Sequence, residues 1–359
     1  MIHDIKSAGV KLWVLTGDKV ETAINIGFSC ELLDQEMEIF VIDKISTKEV
    51  YKQVVEFTGK KKIIGASRDC AVVIGGESLA KVLNDFSKDH RLKNEFMNLV
   101  DDASVVLACR VSPKQKAEIV VLVRENKTEV TTLAIGDGAN DVNMITAAHI
   151  GIGISGLEGQ QAARAADYSI GQFRFLKNLL FVHGREAYRR NSYLIMYMFY
   201  KNVIYVMPIF FFGIESLFSG TQIYDVYLYN AYNIFFTGAP ITWYSIFDWQ
   251  HTKEELLSNV KHYSIGLENK CFNPFLFWTW YIMAIWQGAV LLFLTFNTLD
   301  ESSGEQYVNN TFLKDIPGGK TISGSLILNG LFIFQAIVIL VNVKIFIQTN
   351  THSFMSVFC

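Results

Sequence analysis

Four long apolar runs in the second half of the chain, near 193–214, 226–247, 275–297 and 325–347, constrain its fold more than any other feature. Each holds about 20 residues, the length an α-helix needs to cross a hydrocarbon core of roughly 30 Å. Soluble cores do not call for four helices of that length, so the pattern predicts a membrane bundle. Before Ser192 the chain differs in kind: strand-like and helix-like stretches alternate, and charges are spread throughout. Composition agrees, since half of the 359 residues are apolar and only 19% are charged, which is more apolar than an ordinary soluble domain. A net charge of −3 gives no basis for nucleic-acid binding. The five cysteines are scattered with no CxxC pair, so neither a disulfide frame nor a zinc ribbon is expected. The start, Met1-Ile2-His3-Asp4-Ile5-Lys6, has no apolar core and is not a signal peptide.

Charge sets the expected topology. Arg174, Lys177, Arg185, Arg189 and Arg190 precede the first run and place its approach in the cytosol by the positive-inside rule. The link from Ser219 to Asp225 carries no Lys or Arg and faces outward. The loop 248–274 carries Lys253, Lys261 and Lys270 and returns to the cytosol. The loop 298–324 would then lie outside or in the lumen, with the tail 348–359 cytosolic. In that arrangement Asn309 is an outer-loop glycosylation sequon, whereas the sequon at Asn126 stays cytosolic and unused. Whether the membrane is the plasma membrane or an internal one is open.

Lys201 lies about eight residues into the first run, or roughly 12 Å along a helix. A lysine near mid-bilayer costs roughly 2.5–3.5 kcal/mol, so it either faces a polar cavity or snorkels to the interface. Glu215, Asp225 and Asp248 fall at the ends of runs, leaving no carboxylate at mid-membrane to bind a cation. Asn230 and Asn233 are either polar contacts for a solute or helix-packing amides.

In the first half, the strands read as 10–15, 70–74, 105–108, 131–135 and 150–154, separated by helices. Residues 34–69 read as a polar stretch with Lys60–Lys62 in a solvated loop, and 77–99 as one helix. Pro113 opens a helix at a position where its missing N–H costs nothing. Such alternation predicts a parallel, doubly wound sheet with helices on both faces. The strand ends then share one edge, where open α/β sheets bind ligands, and Thr16, Lys116 and Asp137 would meet there. A hydroxyl, a fixed cation and a carboxylate suit phosphoryl chemistry with Mg2+. Taken singly, Gly136-Asp137-Gly138 is an ordinary turn and Lys116 a surface helix lysine. Together, at successive strand ends, they point to one site.

The segments TGDKVETA, RVSPKQKAEIV and AIGDGANDVNMI resemble the second, third and fourth motifs of haloacid-dehalogenase-like phosphotransferases. They are most similar to those of phospholipid flippases among the P-type ATPases, and Tyr200-Lys201-Asn202 resembles the headgroup-handling position of that family. The resemblance implies a partial haloacid-dehalogenase-like phosphorylation domain at 1–173, a basic stalk helix at 174–192, an all-α four-span transmembrane bundle at 193–347 and a cytosolic tail at 348–359. It implies ATP and Mg2+ as cofactors and a phospholipid substrate moved toward the cytosolic leaflet, with a two-span accessory subunit as a possible partner. Thr16, Gly17, Asp18, Arg110 and Lys116 would contact nucleotide or aspartyl phosphate. Asp137 and Asp141 would bind Mg2+, Asn140 with Asp141 would hold phosphate and water, and Lys201 with Asn202 would meet the lipid.

The family's nucleophile, the aspartate of DKTG, is not in this sequence, nor is the DGET loop that drives dephosphorylation. The resemblance therefore implies a C-terminal part beginning inside the phosphorylation domain, with Met1 either an internal methionine or the start of a truncated gene. Two other readings stay open: an inactive membrane protein that regulates a full-length partner, and a membrane-anchored phosphatase of the same fold.

Overall fold

The computed structural model describes residues 1–64, 69–85, 90–156, 160–306 and 322–352. It divides into two compact units, Met1–Phe181 with Asn259–Lys261, and Val182–Ser258 with His262–Cys359.

The first unit runs α1 (Ile2–Ser7), β1 (Leu12–Leu15), α2 (Val20–Ser29), β2 (Glu38–Ile42), α3 (Thr47–Ile64), β3 (Cys70–Gly75), α4 (Gly76–Leu83), α5 (Arg91–Asp101), β4 (Val105–Cys109), α6 (Pro113–Asn126), β5 (Leu133–Gly136), α7 (Val142–Ala147), β6 (Ile150–Ile154), α8 (Gln161–Ala165), β7 (Tyr168–Ile170) and the single turn α9 (Leu176–Asn178). Every strand pairing is parallel. The strands form two sheets, ordered β1-β4-β3-β2 and β5-β6-β7, where the sequence suggested one. Among the described residues no strand pairs with the second edge of β1 or of β5. The consequence shows in burial: every residue of β3 but the last, and all of β4, is buried, while the equally apolar Leu12-Trp13-Val14-Leu15 is only half-buried throughout.

The period-two pleat sorts the core residues onto two faces. Val72, Ile74, Val106 and Ala108 pack with Val50, Leu79, Phe96 and Ile119 from the helices on one side. Ala71, Val73, Val105 and Leu107 pack with Ala23 of α2 and with Leu33 on the other. Two expectations need correction. The stretch 34–69 holds β2 and α3, and Lys60–Lys62 lie on the last turns of that helix, Lys60 pairing with Glu56 at 2.8 Å. Its apolar positions Val50, Val54 and Phe57 recur at helical spacing and face the sheet, a stripe thinned by the surrounding charges. The helix expected over 77–99 is two helices, α4 ending at Leu83 and α5 starting at Arg91.

The second unit holds α10 (Arg185–Glu215), α11 (Val226–Ala231), a π-helical stretch (Tyr232–Phe236), α12 (Gly238–Phe247), α13 (Lys253–Ser258), the turn α14 (Ser264–Leu267), α15 (Pro274–Gln306) and α16 (Ile322–Gln348). Among the described residues three helical stretches are long and apolar enough to cross a membrane: Phe173–Glu215, which ends as α10, Pro274–Asn297 in α15 and Leu326–Gln348 in α16. The apolar run 226–247 is not one continuous helix. Pro240 has no N–H to offer the Phe236 carbonyl, and the Asn342 side-chain amide of α16 donates to that oxygen instead, at 3.1 Å. The Thr237 hydroxyl donates to the Tyr232 carbonyl at 2.8 Å, closing the wide turn before the break.

Two of the five basic residues that precede the first run are taken up inside the second unit. Arg185 and Arg189 are buried: Arg185 pairs with Glu186, and Arg189 reaches Glu186 at 2.9 Å, Asp248 at 2.8 Å and the Tyr244 hydroxyl at 3.0 Å. In the first unit Lys177 pairs with Asp4 at 2.8 Å, and its ammonium is the main cause that holds the Asp4 carboxyl below its ordinary pKa. Asn309 and the tail beyond residue 352 lie outside the described residues.

Candidate functional site

Three loops at the carboxyl ends of β1, β4 and β5 carry the residues singled out in the first unit. After β1, the Thr16 hydroxyl donates to the Asp18 carboxylate at 2.9 Å and accepts the Asp18 N–H at 3.2 Å. The loop is tied to the one after β4, because the Arg110 N–H donates to the Asp18 carbonyl at 3.0 Å and Val111 to the Thr16 carbonyl at 3.1 Å. Arg110 adopts a left-handed backbone with φ of 53°, uncommon for a residue with a side chain. Gly76 leaves room for that turn, since a Cβ there would overlap the Arg110 carbonyl oxygen. Ser112 then caps α6: its hydroxyl accepts the Gln115 N–H at 3.3 Å, and the Gln115 side chain accepts the Ser112 N–H at 2.9 Å. This box sets the first turn of α6 and aims Lys116.

The Lys116 ammonium donates to Asp141 at 2.7 Å, and both side chains are largely buried. Asp141 reaches that position through the turn after β5, where its N–H donates to the Gly138 carbonyl at 3.1 Å. The glycine that makes this possible is Gly136. A Cβ at Gly136 would overlap the Asp141 side chain and stand 2.7 Å from its Oδ2. The contact this glycine permits is with the aspartate five residues on. Asp137 and Asn140 are exposed at the same strand end, and Gly17 and Gly138 have no close neighbours other than the Asn140 N–H. The structure thus joins Thr16 with Asp18 and Arg110, and Lys116 with Asp141.

Cys109, the last residue of β4, lies beside this cluster. Burial, aided by the Asp18 carboxylate, pushes its thiol up to about 11. The thiolate is the reactive form. Iodoacetamide at pH 8 is therefore expected to label exposed Cys30 well before buried Cys109, as read by peptide mass spectrometry. Equal labelling rates would contradict the burial.

In the second unit Lys201 is fully buried, so it does not snorkel. Its ammonium donates to the Thr237 hydroxyl at 3.0 Å, at the break between the π-helical stretch and α12. The Tyr232 hydroxyl donates to the Lys201 carbonyl at 2.8 Å, and the Tyr232 ring stacks on Tyr205 with centroids 4.0 Å apart. Asn202, one residue further along the helix, is exposed and does not share this pocket. Asn230 is exposed and bonds its own helix, donating to the Val226 carbonyl at 2.9 Å. Asn233 is exposed too. Sequence reasoning missed Thr237; Gly238 and Pro240 beside it were the available signal, since both weaken a helix.

The family description "phospholipid-translocating P-type ATPase C-terminal" matches residues 163–359, more than half of the chain. The chain belongs to the phospholipid-translocating P-type ATPases. Phospholipid-transporting ATPase C887.12 of Schizosaccharomyces pombe is 43% identical over 298 residues, covering 82% of this chain and 23% of that protein. Phospholipid-transporting ATPase DRS2 of Saccharomyces cerevisiae is 40% identical over 295 residues, 81% of this chain and 21% of that protein. Phospholipid-transporting ATPase ID of Mus musculus is 38% identical over 323 residues, 82% of this chain and 26% of that protein. This P-type ATPase chain therefore spans about a quarter of the length of the curated relatives it matches.

Proposed function

We propose that the chain is the C-terminal part of an ATP-driven phospholipid translocase working through an aspartyl phosphate, the first unit serving phosphoryl transfer and the second guiding lipid toward the cytosolic leaflet. The observation that carries this reading is the Lys116–Asp141 ion pair, a fixed cation and carboxylate held beside two further loops at parallel strand ends. Thr16, Gly17 and Asp18 would hold phosphoryl oxygens, Arg110 the nucleotide, and Lys116 the charge that develops on the transferring group. Asp137 and Asp141, with Asn140 beside them, are hard oxygen donors, the chemistry that fits Mg2+. Bound there, Mg2+ would neutralise phosphate charge; the chain's own part is to hold the donors and orient the attacking water through Asn140 and Asp141.

The nucleophilic aspartate would enter on a further parallel strand. The open edges of β1 and β5 suit such a strand, which would join the two sheets and stand between Thr16 and Asp137. The regions follow accordingly: phosphorylation domain at 1–173, stalk at 174–192, four membrane passes at 193–347 with the second broken at Thr237, and a cytosolic tail. A two-span accessory subunit is the partner this reading implies.

Lys201 carries the lipid side of the proposal. A broken helix with a buried cation at membrane depth is where a transporter can expose polar groups to a headgroup. In a full-length enzyme containing this chain, Lys201→Ala is expected to leave phosphorylation from ATP intact. It should raise the half-maximal lipid concentration for ATPase stimulation roughly tenfold to a hundredfold, for a lost charged contact of about 1.5–3 kcal/mol. Lys201→Arg keeps charge but not shape and should fall between. An unchanged half-maximal concentration would make Lys201 a packing residue, and stimulation by a metal cation in place of lipid would move the chain to the ion pumps.

A further inference from the structure

We propose that His251, Glu255 and His262 in the second unit form a binding site for a transition-metal dication, Zn2+ before others. Glu255 stands at the centre. Its Oε1 lies 3.0 Å from His251 Nδ1 and 3.8 Å from His262 Nε2. The two imidazoles lie against one another with centroids 4.4 Å apart. All three ligand atoms fall within 4.8 Å of one another. A tetrahedral ion with donors at roughly 2.0–2.1 Å spaces them about 3.4 Å apart, so two of the separations already bracket that spacing and side-chain rotation closes the third.

Local structure explains the convergence. Thr252 caps α13, its hydroxyl accepting the Glu255 N–H at 3.3 Å and its carbonyl accepting the Leu256 N–H at 3.1 Å. The sequence Thr-x-x-Glu would ordinarily turn the glutamate back toward the capping residue. Here the carboxylate lies against the two imidazoles instead. His251, just before the helix, and Glu255, in its first turn, are four residues apart and fall side by side.

Two imidazoles and one carboxylate form a mixed nitrogen and oxygen set, which favours zinc and its neighbours over Mg2+ or Ca2+. The neutral imidazole is the form that ligates, so binding should tighten as the two rings lose their protons. The side chains of His251 and His262 keep 23% and 26% of their surface and that of Glu255 keeps 47%, so an ion can enter and one position stays open to water. The site would also be felt at the base of α10. There Arg185 already binds the Gln250 side chain at 2.7 Å and the His262 carbonyl at 3.3 Å. An ion would clasp the start of α13 to the segment holding His262, beside that arginine.

The test is titration of the purified 359-residue chain in detergent, stripped with a chelator and with its thiols alkylated so that cysteines do not compete. Calorimetry should give one Zn2+ per chain, with no competition from excess Mg2+. The double substitution His251→Ala with His262→Ala should weaken binding at least about a hundredfold, while Glu254→Gln, in the same turn, should not change it. Co2+ should give a visible ligand-field band in the parent that is absent from the double variant at equal far-UV circular dichroism. An unchanged affinity in the double variant, or no stoichiometric Zn2+ in the parent, overturns the site.

Discussion

Lys116→Ala is expected to damage the protein in two separable ways. Asp141 is buried and Lys116 is its ion-pair partner at 2.7 Å, so removing the lysine leaves a buried carboxylate without its counter-charge. Breaking a buried pair from one side costs about 3 kcal/mol. For a unit of this size that lowers the melting temperature by roughly 6–12 °C, read by scanning fluorimetry in detergent. The double substitution Lys116→Met with Asp141→Leu should recover much of the loss, because no charge is then left unpaired. In a chain completed with the nucleophile strand, Lys116→Ala should also cut phospho-enzyme formation from ATP at least about a hundredfold. Asp137→Ala separates the two effects. Asp137 is exposed, so its loss should leave the melting temperature unchanged while abolishing phospho-enzyme as fully. A stable, phosphorylation-competent Lys116→Ala variant would refute both the buried pair and the site built on it.

The second large effect is expected at Gly330. This buried glycine of α16 lies against the Ile223 carbonyl, and a Cβ would overlap that oxygen and stand 2.9 Å from the carbonyl carbon. The obstacle is backbone, which cannot rotate away as a side chain would. Gly330→Ala must therefore push α16 off the segment before α11. That loosens the cluster in which Phe334 meets the stacked rings of Tyr205 and Tyr224, themselves 4.9 Å apart. Overpacking of this kind costs about 3 kcal/mol or more. Near-ultraviolet circular dichroism should lose tyrosine signal along with the drop in melting temperature. Gly59→Ala is the contrast: nothing lies within 4 Å of its Cβ position inside α3, so alanine should stabilise by about 0.5–1 kcal/mol. If the two substitutions behaved alike, the close approach at Gly330 would be wrong.

Local pattern carried far in this chain. Alternating apolar strands and helices placed β1, β3, β4, β5 and β6 to within two residues at either end, because each is bounded by glycine, proline or polar residues that end it locally. Pro113 announced the start of α6, and with it the placing of Lys116. What escaped was weakly patterned. In α3 the apolar stripe is diluted by lysines and glutamates, and in the run 226–247 only Gly238 and Pro240 mark the break at Thr237, which a reading by length and hydropathy passes over.

By itself the sequence determined the alternation that makes the sheets parallel, the loops that carry Thr16, Arg110 and Asp137, and the apolar lengths that suit a membrane, since all of these follow from composition and spacing along the chain. Only the tertiary structure decided which groups meet: Lys116 with Asp141 across 25 positions, Lys201 with Thr237 across 36, and two histidines on one carboxylate. It also decided that β1 and β5 fall in separate sheets. The physical reason is the same in each case. A partner, or the lack of one, is set by packing between elements distant in the chain, and no local periodicity records it.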